Sequence, residues 1–135
     1  MSSEAITYNL CKVNTALLAA VPLARMFAGE IPLNAVLPAI AFNEVSTVEN
    51  TTIDANAAYA LVTGRVQVTV AAKDYPTVKN IITLIRKACN YQRGEIAGFT
   101  VSAIIRDIVG PDFRDSDSGI YYQSIDFKII YHELN

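Results

Sequence analysis

AAYALVTGRVQVTVAA, residues Ala57–Ala72, decides the fold together with the segment that follows it, Lys73–Asn90, KDYPTVKNIITLIRKACN. The first segment alternates apolar and polar residues, which predicts a strand with one apolar face. That face carries Val62, Gly64, Val66, Val68 and Val70, and the polar face carries Thr63, Arg65, Gln67 and Thr69. The second segment spaces apolar residues by three and four, which predicts an amphipathic helix. Its stripe consists of Val78, Ile81, Ile82, Leu84, Ile85, Ala88 and Cys89. We expect the two apolar surfaces to pack on each other.

Two helices are predicted, and their ends carry recognisable signals. Asp74 stands where it can cap the first amide groups of the helix above, and Pro76 lies in its first turn, where a missing N–H costs little. An earlier helix begins at Ser3 and ends before Pro22. Its apolar positions are Ile6, Leu10, Val13, Leu17 and Val21.

Four further stretches are predicted to be extended. Arg25–Phe27 is expected to form a short edge strand, and Ala35–Val48 a second strand with Pro38 near its start. Ile96–Val109 and Ile120–Glu133 flank a polar, glycine-framed turn and are expected to form a long antiparallel hairpin. One face of the first hairpin strand carries Phe99, Val101, Ala103 and Ile105, and one face of the second carries Tyr121, Gln123, Ile125, Phe127, Ile129 and Tyr131.

The predicted order is α-β-β-β-α-β-β, which is an α+β fold. It consists of a mainly antiparallel sheet of four to five strands with two helices packed on one face. The opposite sheet face is polar, and nothing in the chain is expected to cover it. A chain of 135 residues is expected to form a single domain, residues 1–135.

Composition and charge limit the functional classes. Hydrophobic residues make up 52% and charged residues 18%, which is typical of a globular protein. A formal charge of −2 with scattered Lys and Arg argues against sequence-independent nucleic-acid binding, which needs a basic face. The adjacent pair Arg86-Lys87 is interpreted as cations that favour the C-terminal end of the helix dipole. We expect no signal peptide and no membrane span, and therefore a soluble protein.

The chain offers few groups for chemistry, so no catalytic, metal or cofactor residue is predicted and the protein is not expected to be an enzyme. The only histidine, His132, is expected to be exposed at a strand end, without partners for acid–base work. Asp112, Asp115 and Asp117 alternate in a loop, but the EF-hand arrangement of glycine, glutamate and flanking helices is missing. Cys11 and Cys89 are interpreted as buried reduced thiols, and a disulfide between two helices stays open.

The polar stretch Glu49–Asn56 joins two predicted strands and is longer than a usual hairpin loop. Long loops between well-formed strands often contact a partner. An interaction arm and a plain turn are both consistent with this stretch.

The element order and strand texture resemble the tail-terminator (tail-completion, tail-to-head joining) proteins of long-tailed bacteriophages. The segments that carry the resemblance are the following: ALLAAVP, residues 16–22; LPAIAF, residues 37–42; GRVQVTV, residues 64–70; YPTVKNII, residues 75–82; and a closing hairpin through Arg106-Asp107 and YYQSIDF, residues 121–127. The resemblance covers most of the chain, roughly residues 10–134.

This resemblance implies a structural virion protein in the phage tail, assembled in the host cytoplasm. It implies a homo-oligomeric ring, a hexamer, that caps the tail tube protein, joins it to the head connector or stopper protein and lets DNA pass without specific binding. By analogy, the first loop, Glu44–Asn56, reaches a neighbouring subunit or the tail tube, and a second loop, Asp112–Ser118, projects from the ring toward another neck component. The interface residues are Glu44, Glu49, Asn50, Thr51, Thr52, Asp54 and Asn56 in the first loop, and Asp112, Phe113, Arg114, Asp115 and Asp117 in the second. The alternative is a small regulatory or ligand-binding α+β domain with a pocket between the helices and the sheet.

Overall fold

The computed structural model describes residues 2–32, 34–50 and 59–134. These ranges contain three α-helices, one turn of 3-10 helix at Leu23–Arg25 and seven strands. The helices are α1 (Ser2–Lys12), α2 (Thr15–Ala20) and α3 (Tyr75–Cys89). The strands are β1 (Met26–Ala28), β2 (Ala39–Asn50), β3 (Tyr59–Ala72), β4 (Gly94–Ile96), β5 (Phe99–Val109), β6 (Phe113–Arg114) and β7 (Tyr121–Leu134).

All seven strands belong to one curled sheet with the order β1-β2-β3-β7-β5-β4, and β6 pairs with β7 outside this path. Only β1 runs parallel to its neighbour, β2, and the other pairs are antiparallel. The α+β class and the antiparallel character of the sheet are therefore confirmed. The predicted count of four to five strands and the order α-β-β-β-α-β-β are wrong in detail. β4 and β6 are too short to show a period in the sequence.

The core lies between one sheet face and the helices. The predicted apolar face of β3 is buried at Val62, Val66, Val68 and Val70, and Phe127 of the adjacent β7 is fully buried as well. α1 and α3 both pack on this face. Tyr8 of α1 meets Phe42 of β2 edge to face, with ring centroids 5.7 Å apart.

Gly64 lies where α1 approaches the middle of the sheet. A Cβ atom at this position would stand 2.7 Å from the Cβ and 2.9 Å from the Oγ of Ser3. The glycine in an otherwise regular strand is therefore explained by the close passage of a helix.

The predicted single helix from Ser3 to Pro22 is wrong, because the chain breaks between α1 and α2. Asn14 adopts an extended conformation there, and its side chain accepts a hydrogen bond of 2.9 Å from the backbone N–H of Leu17. This is a helix N-cap, so a second helix starts at Thr15. The break turns Val13, expected in the apolar stripe, out to 65% exposure.

The start of α3 also differs from the prediction. Pro76 lies in the first turn as expected, but the Asp74 side chain makes no capping bond to the helix backbone. Its Oδ2 atom instead accepts a hydrogen bond of 2.6 Å from the hydroxyl of Thr77.

The predicted β5–β7 hairpin is confirmed, but the faces of β5 are not the predicted ones beyond Val101. The register shifts between Val101 and Ala103, and again between Arg106 and Val109. A bulge adds one residue to a strand and reverses the alternation that follows it. Ile104 consequently faces the core with 1% exposure, and Ile105 is 45% exposed.

Candidate assembly surfaces

The predicted first loop begins later than expected. Glu44, Glu49 and Asn50 belong to β2, where Glu49 pairs with Val62 and Asn50 with Leu61. Ala35, the predicted start of this strand, precedes its true start at Ala39. Thr51, Thr52, Asp54 and Asn56 lie outside the described residues. Glu44 and Glu49 are thus held on a paired strand.

The outer edge of β2 is only partly covered. β1 pairs with Ile40, Ala41 and Phe42, and no described strand pairs with this edge from Asn43 to Asn50. A bulge at Val45 interrupts the pairing with β3. Val45 and Val48 are 51% and 58% exposed, and Glu44 accepts a hydrogen bond from the hydroxyl of Thr47. An open strand edge of this kind can pair with another chain.

The second predicted loop is a compact turn and not a free projection. Phe113 and Arg114 form β6, which pairs with Tyr122 and Tyr121 of β7. The ring of Phe113 stacks on that of Tyr122, with centroids 5.3 Å apart, while Phe113 stays 58% exposed. The turn closes through Asp115, whose Oδ1 atom accepts a hydrogen bond of 3.0 Å from the backbone N–H of Asp117.

Asp112 fixes this turn to the first turns of α3. Its Oδ2 atom accepts a hydrogen bond of 2.8 Å from the Tyr75 hydroxyl and lies 2.5 Å from the Lys79 Nζ atom. Lys79 also donates to the side chain of Gln123 at 3.1 Å, and Gln123 donates to the carbonyl of Gly110 at 3.0 Å. The Lys79 ammonium lowers the pKa of Asp112, and Asp112 in turn raises the pKa of Lys79. Asp112 is therefore engaged within the chain.

The polar sheet face carries a network of ion pairs. Arg65 donates to the Asp126 carboxylate through Nε at 3.1 Å and Nη2 at 2.9 Å, and its Nε atom lies 3.2 Å from Asp107. Lys128 lies 3.8 Å from Asp107. Asp126 is buried, so this face is less open than expected. Each of these two cations is balanced by a carboxylate, which reduces their attraction for phosphate.

The outer edge of β5 forms a second open edge. β4 pairs with β5 only from Phe99 to Val101, and the Ile104 carbonyl accepts a hydrogen bond of 3.1 Å from the N–H of Tyr91. Beyond Ile104, no described strand covers this edge. Ile105, Ile108 and Val109 are 45%, 51% and 46% exposed.

A basic hollow adjoins this edge. Arg86, Lys87 and Asn90, from the end of α3, line a shallow depression of about 320 Å³ with Arg106 of β5. In the sequence, the Arg86-Lys87 pair is the feature that indicates this hollow, but its position at the end of a helix is explained by the helix dipole without any basic site. Arg106 joins the pair only because β5 packs beside the end of α3, and this proximity is not visible in the sequence.

Groups suited to chemistry are sparse in the described residues. They contain no cluster of three or more His, Cys, Asp or Glu side chains placed to hold a metal ion. His132 is half-buried and not exposed as expected, because it is flanked by Leu61 of β3 and Thr100 of β5. Within the ranges 2–32, 34–50 and 59–134, no helix has the length and apolar character needed to cross a membrane.

Cys11 and Cys89 are both fully buried free thiols, as one of the two interpretations predicted. Their sulfur atoms lie 3.8 Å apart, between α1 and α3. The hydrogen bond with Cys11 and burial raise the pKa of the Cys89 thiol well above its usual value. Both effects keep this thiol protonated and unreactive.

The hollow nearest to the predicted pocket lies between α1 and the sheet edge. It measures about 280 Å³ and is lined by Glu4, Ala5, Tyr8, Met26, Ala28 and Phe42. A ligand site normally combines apolar walls with several convergent polar groups. This groove has mainly apolar walls, so it gives little support to the ligand-binding alternative.

Comparisons with known proteins relate this architecture to phage tails. A search of curated protein sequences finds no match. Among solved structures, a chain from a structure titled "Virion of native gene transfer agent (GTA) particle" superposes with a TM-score of 0.77 at 10% identity. The match covers 96% of this chain and 94% of the other, so the two share a fold. The family model described as "Tail completion protein gp17" matches residues 6–132. The chain therefore belongs to the tail completion protein gp17 family and is a structural protein of the phage virion tail.

Proposed function

We propose that the chain is the subunit of a homo-oligomeric ring that caps the tail tube, joins it to the head connector and leaves a channel for DNA. The observation that carries this proposal is that the sheet has two open edges on opposite sides, along β2 and along β5. A subunit with a different open surface on each side suits head-to-tail contacts, and such contacts form a ring when the rotation between successive copies closes. In this proposal residues 1–135 act as one domain, the ring is a hexamer, and it assembles in the host cytoplasm.

The charge distribution suits passage of DNA and not its retention. The chain carries a formal charge of −2. On the polar sheet face, Arg65 and Lys128 are paired with Asp107 and Asp126. DNA affinity comes mainly from Lys and Arg that neutralise phosphates, so a ring lined by this face lets DNA slide.

Two segments are proposed as contacts to other tail components. Residues 51–56, which follow β2 in the sequence, and Glu44, Glu49 and Asn50 of β2 contact the tail tube or a neighbouring subunit. The turn that contains Asp112, Arg114, Asp115 and Asp117 faces a further neck component and presents Phe113, which is exposed although it stacks on Tyr122. A large exposed aromatic residue on an ordered turn is typical of a contact residue.

The proposal is tested by mixing the purified protein with tail tubes that lack their terminal protein. After sedimentation, negative-stain microscopy should show a ring at one end of each tube, and the capped tubes should then join heads. Tubes that stay bare and cannot be joined to heads would overturn the proposal. A charge-matched unrelated small protein serves as the control for trapping in the pellet.

A deletion tests the role of the arm separately. Removing residues 51–56 leaves four residues, 57–60, between the paired residues Asn50 and Leu61, which is a normal hairpin length. The shortened protein should keep its circular dichroism spectrum and should no longer cap tubes. If it completes tails as well as the full-length chain does, the arm has no role in attachment.

A further inference from the structure

The outer edge of β2 is acidic and apolar. Its open part, Asn43–Asn50, has the sequence NEVSTVEN, with two glutamates and no lysine or arginine. The Phe42 carbonyl already faces outward, because it accepts a hydrogen bond of 2.9 Å from the N–H of Gly29. Backbone groups of alternate residues face the same side, and the bulge at Val45 shifts this alternation by one residue, so those of Glu44, Thr47 and Glu49 face outward. Val45 and Val48 add exposed apolar surface along this edge.

The outer edge of β5 is apolar and adjoins a basic hollow. Its open part, Ile105–Val109, has the sequence IRDIV, in which Asp107 is already paired with Arg65 and Lys128. Ile105, Ile108 and Val109 are exposed there, and Tyr91, which is 75% exposed, lies beside Ile105 in a shallow hollow. The cations Arg86, Lys87 and Arg106 line the adjoining hollow. The Ile104 carbonyl faces outward, so the backbone groups of Arg106, two residues further on, face outward as well.

These two edges complement each other and belong to opposite sides of one sheet. We propose that the outer edge of β2 in one copy pairs with the outer edge of β5 in the next copy, so that Glu44 and Glu49 face the basic hollow. This rests on the proposed ring function and identifies its subunit contact. The open part of β5, Ile105–Val109, spans about 17 Å at a rise of about 3.3 Å per residue. That length allows several backbone hydrogen bonds between copies.

Charge selects this pairing over the symmetric ones. A β2–β2 contact would place the glutamates of one edge against those of the other, and a β5–β5 contact would bring Arg106 and its neighbours together. Like charges across an interface are disfavoured. The complement of each edge lies on the opposite edge of the same chain, so each copy pairs with one neighbour through β2 and with another neighbour through β5. The contact is then head-to-tail and repeats around a ring.

Charge reversal tests the pairing with Glu49→Lys and Arg106→Glu. The readout is native mass spectrometry of the free protein, together with the amount of protein that sediments on tail tubes. Each single variant should raise the subunit concentration needed for half-assembly by at least about tenfold. Lys73→Glu, which makes the same charge change as Arg106→Glu at another exposed position, should assemble like the unmodified chain. Circular dichroism checks that every variant is folded.

Two ways of combining these substitutions give the decisive outcome. A chain that carries both reversals should assemble again, because its swapped charges are complementary. An equimolar mixture of the two single variants should also assemble, with the copies alternating. If the single variants assemble like the unmodified chain, or if neither the double variant nor the mixture assembles, the pairing of β2 with β5 is wrong. Such a result leaves the ring itself intact, whereas an unmodified chain that never assembles on tubes overturns the ring proposal as well.

Discussion

Replacing Gly64 with alanine tests how closely α1 lies on the sheet. The new Cβ would stand 2.7 Å from the Ser3 Cβ, whereas ordinary contacts begin at 3.4 Å. α1 or β3 must therefore move by about 0.7 Å, and overpacking of this kind costs about 1–3 kcal/mol. Alanine in place of glycine within a strand by itself stabilises the folded state by about 0.5–1 kcal/mol. The midpoints of these two ranges leave a net loss of about 1 kcal/mol in the free energy of unfolding.

The assay is urea unfolding followed by circular dichroism, with thermal unfolding as a second measure. Each kcal/mol should lower the Tm by about 2–8 °C. Gly110→Ala is the matched control, because its Cβ meets the Oγ of Ser124 at 2.8 Å and this hydroxyl can rotate away. We expect the control to lose less stability than Gly64→Ala.

A second substitution separates the clash from other effects. Ser3→Gly removes the two atoms that would lie closer than 3.0 Å to the new Cβ, at a cost of up to about 1 kcal/mol in helix propensity. In this background Gly64→Ala should cost less than about 0.5 kcal/mol, so the two changes couple strongly. A Gly64→Ala protein as stable as the unmodified chain, or one that Ser3→Gly does not rescue, would refute the proposed helix–sheet contact.

Three further predictions follow from single contacts. Asn14→Ala should lower the free energy of unfolding by about 1 kcal/mol in urea titrations, since it removes the cap of α2; an unchanged midpoint would contradict the cap. The raised pKa of Cys89 means that the folded protein favours the protonated thiol. This preference contributes stability that is fully present below the usual thiol pKa and is lost as the pH rises through the raised pKa. Cys11 and Cys89 should accordingly react with a disulfide reagent at pH 8 only after denaturation, and rapid labelling of the folded protein would disprove their burial. The lowered pKa of Asp112 means that its contact with Lys79 stabilises the turn above pH 3.8 and is lost as the pH falls through the lowered value. Lys79→Met should raise the midpoint of the Asp112 carboxyl titration measured by NMR, and an unmoved midpoint would rule out the ion pair.

Long, regular patterns in the sequence predicted their structures well. The alternation in β3 is sustained over a strand of 14 residues, so the buried positions of Val62–Val70 were predicted correctly. The stripe of α3 was predicted for the same reason, with Ile81 and Ile85 fully buried. The antiparallel hairpin of β5 and β7 was predicted because a glycine-framed turn separates two extended segments.

Local interruptions of these patterns were not predicted. Asn14 breaks a helix whose apolar spacing continues to Leu17, and spacing alone cannot distinguish one long helix from two short ones. The bulge near Ser102 reverses the faces of β5, because it depends on pairing with β7 and not on β5 itself. The polar residues around Glu49 predict the end of a strand, so the sequence places Glu49 in a loop. In the structure Glu49 pairs with Val62, and β2 continues through it.

The proposed assembly surfaces depend on long-range proximity. Arg86 and Arg106 are 20 positions apart in the sequence, and only the packing of β5 beside α3 brings them to one hollow. The open edges of β2 and β5 are likewise defined by which strands lack a neighbour. The alternation of apolar and polar residues in each strand is visible in the sequence, but the position of that strand in the sheet depends on pairing between distant segments.

Cryo-electron microscopy of tails completed with this protein tests the central claim most directly. We predict a closed ring of copies at the head-proximal end of the tube, with an open channel and with β2 of each copy beside β5 of the next. Isolated copies scattered on the tube surface, or density that closes the channel, would contradict the account.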